Sequence, residues 1–340
     1  DDGAFENDES VILTLAADPA YSLGSPATST VTILSDDVPP DLVVATMTAP
    51  AIGGADSDVV VTDTTRNQGA GPSLPSKTGF YLSTNTTLDA ADQWIGDRVL
   101  SSIGAGVSAQ ASTTLHIPPS TATGLYRILA KADWDDTITE SSETNNLRTS
   151  IIQIGPDLAV SALTAPATAV AGGAISVSDT TKNQGGGSGG ASATRFYWSA
   201  NLTLDASDQL IGSRSVAPLA AGALASFTGT ITVPTSLTAG SYYVIAQADG
   251  AGQVSETTET NNTRASAAIK VGPDLIVTTV SVPSSGAAGA TIAATDTTKN
   301  QGAGPAAASS TGFYLSPNLT IGPDDKLIGS RTVGGLAPNG

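Results

Sequence analysis

One heptapeptide, Asp63-Thr-Thr-Arg-Asn-Gln-Gly69, returns as Asp179-Thr-Thr-Lys-Asn-Gln-Gly185 and again as Asp296-Thr-Thr-Lys-Asn-Gln-Gly302. The copies begin 116 and 117 residues apart. Each is followed by a Phe-Tyr segment, in Gly79 to Ser83, Arg195 to Ser199 and Gly312 to Ser316. Each then runs into an Asn-to-Gly stretch, at 85–96, 201–212 and 318–329. Solenoid repeats are far shorter than this. A period of this length is a whole domain. The chain must therefore be read as like domains in series.

Composition narrows the kind of domain. Charged residues make up 13% of the 340, hydrophobic ones 40%, and there are 36 Gly and 19 Pro. Short apolar alternations broken by frequent turn residues, with no sustained helical period, predict an all-β protein. The net charge of -17 disfavours nucleic acid and anionic membranes as partners, since both need basic patches. An acidic surface attracts cations, or serves solubility alone. The absence of cysteine excludes disulfides, thiol catalysis and thiolate metal sites. No apolar run approaches the roughly 18 residues of a membrane span, so no membrane insertion is expected in this segment.

Residues 40–155 form the first full repeat, 156–272 the second, and 273–340 the N-terminal part of a third. Strands are predicted near 41–47, 58–65, 77–83, 94–100, 111–117, 124–133 and 147–154. In the clearest, Tyr126, Ile128, Ala130 and Ala132 share one face, and Arg127 and Lys131 share the other. Seven short strands per repeat predict tandem immunoglobulin-like β-sandwich domains. Junctions such as Gly155-Pro156-Asp157-Leu158 and Gly272-Pro273-Asp274-Leu275 leave little linker, which predicts an extended array. The third repeat stops after about four strands. Residues 1–39 supply two strands, too few for a core of their own. The chain thus reads as an excerpt of something longer.

Several motifs carry family resemblances. Residues 1–39 hold Asp1-Asp2, Glu6, Glu9, a strand from Val11 to Leu15, Leu23-Gly24, and the closing Val31-Thr-Ile-Leu-Ser-Asp36-Asp37. This resembles the C-terminal part of a Calx-beta domain. The resemblance implies Ca2+ bound by Asp1, Asp2, Glu6, Glu9, Asp36 and Asp37. Calcium needs several oxygens converging, about six to eight. An acidic solvated loop is the alternative. From residue 40 onward the repeat carries Pro-Asp-Leu at each start and then Asn-Gln-Gly and Phe-Tyr. An Asp-x-x-Ile-Gly ending follows, and Glu140-x-x-Glu143-x-Asn145-Asn146 recurs as Glu256 to Asn262. This resembles CARDB, a bacterial domain associated with cell adhesion. It implies an immunoglobulin-like fold on secreted or surface proteins, and gives no ligand.

The remaining candidates for chemistry are few. Asn85, Asp89 and Asp92, repeated as Asn201, Asp205 and Asp208, place oxygen side chains in one loop. They suit either turn closure or a metal ion. The third copy has Asn318, Gly322 and Asp325 there. Asn145 and Asn146 are expected to cap backbone groups, and Ile138 and Val254 to anchor their loops. The single histidine, His116, lies on a strand and its counterpart is Thr232, so no enzyme is expected. Trp94, Trp134 and Trp198 occupy non-matching positions and form no repeated sugar platform.

These features predict a non-catalytic structural region of a large secreted or cell-surface bacterial protein: an adhesin stalk, spacer or surface fibre, calcium-stiffened at its first junction. Its partners would be other domains of the same chain. Copies of itself in a filament, a surface glycan or protein, or a hydrolase domain elsewhere in the chain are the alternatives.

Overall fold

The computed structural model describes residues 8–34 and 38–340, and among them every regular element is a strand. A hairpin comes first, β1 (Glu9–Thr14) with β2 (Thr28–Ile33), paired antiparallel from Glu9–Ile33 to Thr14–Thr28. All of its residues are exposed.

Repeat 1 follows with β3 (Leu42–Thr48), β4 (Ile52–Gly53), β5 (Ser57–Asn67), β6 (Ser76–Ser83), β7 (Gln93–Leu100), β8 (Ser108–Ile117), β9 (Gly124–Ala132) and β10 (Leu147–Ile154). One sheet has the order β3-β5-β8, and the other β4-β10-β9-β6-β7. Their facing sides bury Leu42, Val61, Phe80, Leu115, Ile128 and Ile152 in one core. The expected face of β9 is the inner one: Ile128, Ala130 and Ala132 are fully buried. The seven expected strands are present, and an eighth, β4, joins them. It is a two-residue parallel pairing with Gln153 and Ile154, too short to show a period.

Repeat 2 has β11 (Leu158–Thr164), β12 (Thr168–Ala169), β13 (Ala174–Asn183), β14 (Ser192–Ser199), β15 (Gln209–Val216), β16 (Leu224–Thr232), β17 (Gly240–Gln247), β18 (Thr263–Ala265) and β19 (Ile269–Val271). The same two sheets return as β11-β13-β16 and β12-β19-β17-β14-β15, with β18 also on β17. In the third repeat, among the described residues, β20 (Leu275–Ser281) pairs with β21 (Thr295–Asn300), and β22 (Ser309–Leu315) with β23 (Lys326–Val333). The register slips at Val44/Thr46, at Val160/Ala162 and at Val277/Thr279, so one β-bulge is built three times.

Candidate functional site

The inner face of β5 changes character along its length. Val59 and Val61 point into the core, and the same alternation then brings in Asp63, Thr65 and Asn67, each fully buried. A buried carboxylate needs a partner. Arg98 on β7, in the opposite sheet, donates Nε to Asp63 Oδ1 at 3.0 Å and its second nitrogen to Oδ2 at 2.5 Å. Thr65 bridges the sheets as well, 2.8 Å from Thr78 on β6. Repeat 2 reproduces both: Arg214 reaches Asp179 at 2.8 and 2.6 Å, and Thr181 meets Thr194 at 2.8 Å. The paired fork fixes geometry as well as charge. It is a tie between sheets that the sequence motif does not announce.

The second network lies at the start of the repeat. Asn67 Oδ1 accepts the N–H groups of Asp41 and Gly69 at 3.1 and 3.0 Å, and its Nδ2 donates to the carbonyls of Gly71 and Ile103 at 2.7 and 2.9 Å. Gln68 and Asn145 donate to the two oxygens of Asp41 at 3.0 and 2.9 Å. Glu140 accepts the N–H of Leu42 on one oxygen and Asn146 Nδ2 at 3.0 Å on the other, while its own N–H is held by Glu143 at 2.8 Å. Pro-Asp-Leu, Asn-Gln-Gly and Glu-x-x-Glu-x-Asn-Asn are therefore one cluster. Asn145 and Asn146 do more than cap backbone: they tie the last hairpin to the first strand. In repeat 2, Gln184, Glu256, Glu259, Asn261 and Asn262 repeat the bonds of Gln68, Glu140, Glu143, Asn145 and Asn146, and Asn183 again accepts the Asp157 N–H, at 3.1 Å, and donates to the Leu219 carbonyl, at 2.9 Å.

Electrostatics follow from burial. Burial pushes the Glu140 carboxyl up to about 7, against the Leu42 N–H, and the charges of Glu143, Asp133 and Asp41 add to it. Glu256 is raised to about 7 for the same reasons. Asp133 takes a left-handed backbone (φ 44) and accepts the Ile138 N–H at 2.9 Å; Asp249 (φ 41) accepts that of Val254 at 2.8 Å. Ile138 and Val254 are buried, so they do anchor their loops.

The loop at Asn85 closes on itself. Asn85 Oδ1 accepts the Thr87 N–H at 2.6 Å, Asp89 Oδ1 that of Ala91 at 2.8 Å, and Asp92 Oδ2 that of Asp89 at 2.9 Å. Asn201, Asp205 and Asp208 do the same. Of the six carboxylates tied to calcium by resemblance, Asp1, Asp2, Glu6, Asp36 and Asp37 lie outside the described residues. Glu9 is exposed at the start of β1. Among the described residues no group of three or more His, Cys, Asp or Glu side chains is placed to hold a metal ion. His116 is half exposed on β8, with Asp58 at 2.9 Å and Asp56 at 3.4 Å. Trp94 is exposed, Trp134 lies against Gly79, and Trp198 is buried and stacked on Tyr242, with ring centres 5.5 Å apart.

Comparison with known proteins adds the following. The CARDB family model matches residues 39–150 and 155–266. No curated protein matches the chain. Among solved structures, the CARDB domain of PF1109 from Pyrococcus furiosus, described as a complex with di-metal ions, is 22% identical. It covers 34% of this chain and 94% of that one, with a TM-score of 0.28. A domain of a Methanosarcina acetivorans protein, assigned provisionally to the cell surface, is 19% identical, covers 34% and 91%, and has a TM-score of 0.27. Red sea bream transglutaminase is 12% identical, covers 69% and 31%, and has a TM-score of 0.35.

Proposed function

The chain belongs to the CARDB family, matched over residues 39–150 and 155–266, and on that premise we propose that it is a non-catalytic, force-transmitting region of a secreted or cell-surface protein. The carrying observation is the clamp at the start of each complete repeat. Side chains 98 and 104 residues later in the chain, Glu140 and Asn145 in repeat 1, hold Leu42 and Asp41. A pull on the start of the repeat meets this clamp before it meets the β3–β5 ladder. The repeated polar side chains are engaged with each other and with backbone. This suits a spacer or stalk whose work is to stay folded under tension.

Single-molecule stretching tests the reading. Two separate unfolding events are expected, each releasing about 390 Å of chain, for stretches the length of residues 39–150 and 155–266. Asn145→Ala together with Glu140→Ala should lower the force of one event and leave the other. An unchanged pair of forces would remove the mechanical role. Regular fibres in electron micrographs of the protein would recast it as an assembly subunit. Calcium stiffening before residue 40 is the finer part of the proposal and rests on the Calx-beta resemblance of residues 1–39. Equal protease resistance of residues 30–45 in calcium and in chelator would end it.

A further inference from the structure

The sheet edges of the complete repeats are not treated alike. In repeat 2, among the described residues, the outer strands are β12 and β15 of one sheet and β11 and β16 of the other. An outer strand offers unpaired N–H and C=O groups to another strand, and short length, bulges and charges blunt that offer. β12 is two residues long. The register of β15 slips opposite Phe196/Tyr197, and that of β11 at Val160/Ala162. β16 has none of these devices. It pairs with β13 without a slip, from Ala174–Thr232 to Lys182–Leu224. Its nine residues, Leu224 to Thr232, include no charge and no proline.

The free side of β16 follows from the bonds that flank its ladder. The Asn183 N–H donates to the Ala223 carbonyl at 3.0 Å, and the Val233 N–H to the Gly173 carbonyl at 2.8 Å. Bonded and unbonded pairs alternate in an antiparallel ladder. The odd-numbered residues of β16 therefore bond β13, and Ser226, Thr228 and Thr230 turn their N–H and C=O groups away from it. The side chains of these three are exposed on the outer face. There Thr228 meets Ser178 at 2.8 Å and Ser226 meets Thr180 at 3.0 Å. Repeat 1 has the same edge in β8, but carries charge at its end: His116 lies 2.9 Å from Asp58 and 3.4 Å from Asp56. Repeat 2 has Thr232, Ala174 and Gly172 at those three places.

We propose that β16 is an edge for self-association. The β16 strand of a second copy of this chain pairs with it antiparallel, about a two-fold axis at Thr228, and joins two three-stranded sheets into one of six. Charge selects a second copy as the occupant. In a two-fold pairing each position faces itself or its symmetric counterpart, so a charged strand would meet its own charge. Around Thr228, Ser226 faces Thr230 and Leu224 faces Thr232, all uncharged. Lys182, beside Leu224, stands one strand in from the edge, and the two copies place it at opposite ends. A net charge of -17 makes the chain repel its own copies in general, and this uncharged edge is where two can approach. A symmetric pairing closes on itself and gives dimers, not fibres.

Sedimentation of the full chain from about 1 μM to about 1 mM, the range in which small transient interfaces form, should show a monomer–dimer equilibrium. The amides of Ser226, Thr228 and Thr230 should gain protection from hydrogen exchange as the dimer forms. Thr228→Lys sets two ammonium groups face to face and should weaken the dimer at least about tenfold; Thr228→Glu should do the same with two carboxylates. Mixing the two variants should restore association, which separates a broken interface from a broken fold. Ser112→Lys, at the matching place on β8, should leave association unchanged. The proposal is overturned if the chain stays monomeric throughout, if Thr228→Lys leaves a dimer intact, if the mixture fails to recover, or if Ser112→Lys is as disruptive.

Discussion

Arg214 in repeat 2 and Arg331 in repeat 3 hold their aspartates in nearly the same way. Arg214 reaches Asp179 at 2.8 and 2.6 Å; Arg331 reaches Asp296 at 2.6 and 2.7 Å. Their surroundings differ. The Arg214 side chain is 7% exposed and the Arg331 side chain 44%. Arg214 also donates to the Ala225 carbonyl on β16 at 2.9 Å, and among the described residues β21 has no strand paired with it in the place of β16. Placement of the pair is thus a local property of two hairpins. Burial of the pair needs the strands that follow. Water screens an exposed pair, whereas a buried one becomes costly to break.

The largest expected effect breaks that comparison directly. Asp179→Ala leaves Arg214 buried and unpaired and should cost repeat 2 roughly 3–5 kcal/mol. Asp296→Ala should leave the unfolding of both complete sandwiches unchanged. Denaturant-dependent hydrogen exchange, resolved to residues 158–271, checks both. Similar small losses from the two variants would mean that burial of the pair is not what distinguishes the repeats. The pair also sets a charge: the Arg331 hydrogen bonds hold the Asp296 carboxyl down to about 2.

The next effect sharpens the contrast between the two complete repeats. Gly79→Arg drives a side chain into Trp134 and should cost about 1–3 kcal/mol, as overpacking does. Adding Trp134→Gly should recover much of it, because the pair would then match Arg195 and Gly250. Purely additive losses in a double-mutant cycle would show the two positions to be independent.

These pairs show what the sequence displays and what it hides. Alternation is visible wherever one face is apolar, so the inward side of Tyr126, Ile128, Ala130 and Ala132 could be read directly. It stops being visible on β5, where Asp63, Thr65 and Asn67 continue the inward face of Val59 and Val61 with polar groups. Hydropathy takes such residues for surface. The organising heptapeptide was therefore plain as a repeat and silent as a buried tie. Asp41 and Asn145 are 104 residues apart, and no local rule joins them. The available signal was the joint recurrence of all three motifs at the same spacing in repeats 1 and 2. β4 lay beyond reach because two residues in a parallel pairing have no period.

A pH effect of intermediate size separates the complete repeats from the third. Glu140 and Glu256 have folded values raised from 4.5 to about 7. Between these limits the folded protein keeps a proton that the unfolded chain has released. Stability of repeats 1 and 2 should therefore fall as pH rises from about 4.5 to about 7 and level off above that. Glu140→Gln should flatten the slope in repeat 1 only, as read by hydrogen exchange at several pH values. An undiminished slope in repeat 1 would place the titrating group elsewhere.

The smallest expected effect concerns the 85–92 loop and its two copies. Repeat 3 has already made the informative substitution. Gly322 stands where Asp89 and Asp205 stand, yet the Gly322 N–H still bonds Asp325 Oδ2, at 2.6 Å. The equivalent bonds in repeats 1 and 2 are 2.9 Å each. The second aspartate is therefore the one that closes the turn; the first adds a bond to the following backbone and, in repeat 2, also accepts from Ser207 Oγ at 2.6 Å and Asn201 Nδ2 at 3.4 Å. Asp89→Ala should change the stability of repeat 1 by less than about 0.5 kcal/mol, as most exposed substitutions do. Asp92→Ala should cost more, about 1 kcal/mol, the usual worth of a side chain that satisfies a turn amide. If Asp89 and Asp92 matter equally, and only in the presence of calcium, the loop is a cation site and turn closure is incidental to it. If their ranking is the same in calcium and in chelator, the carboxylates serve the backbone alone.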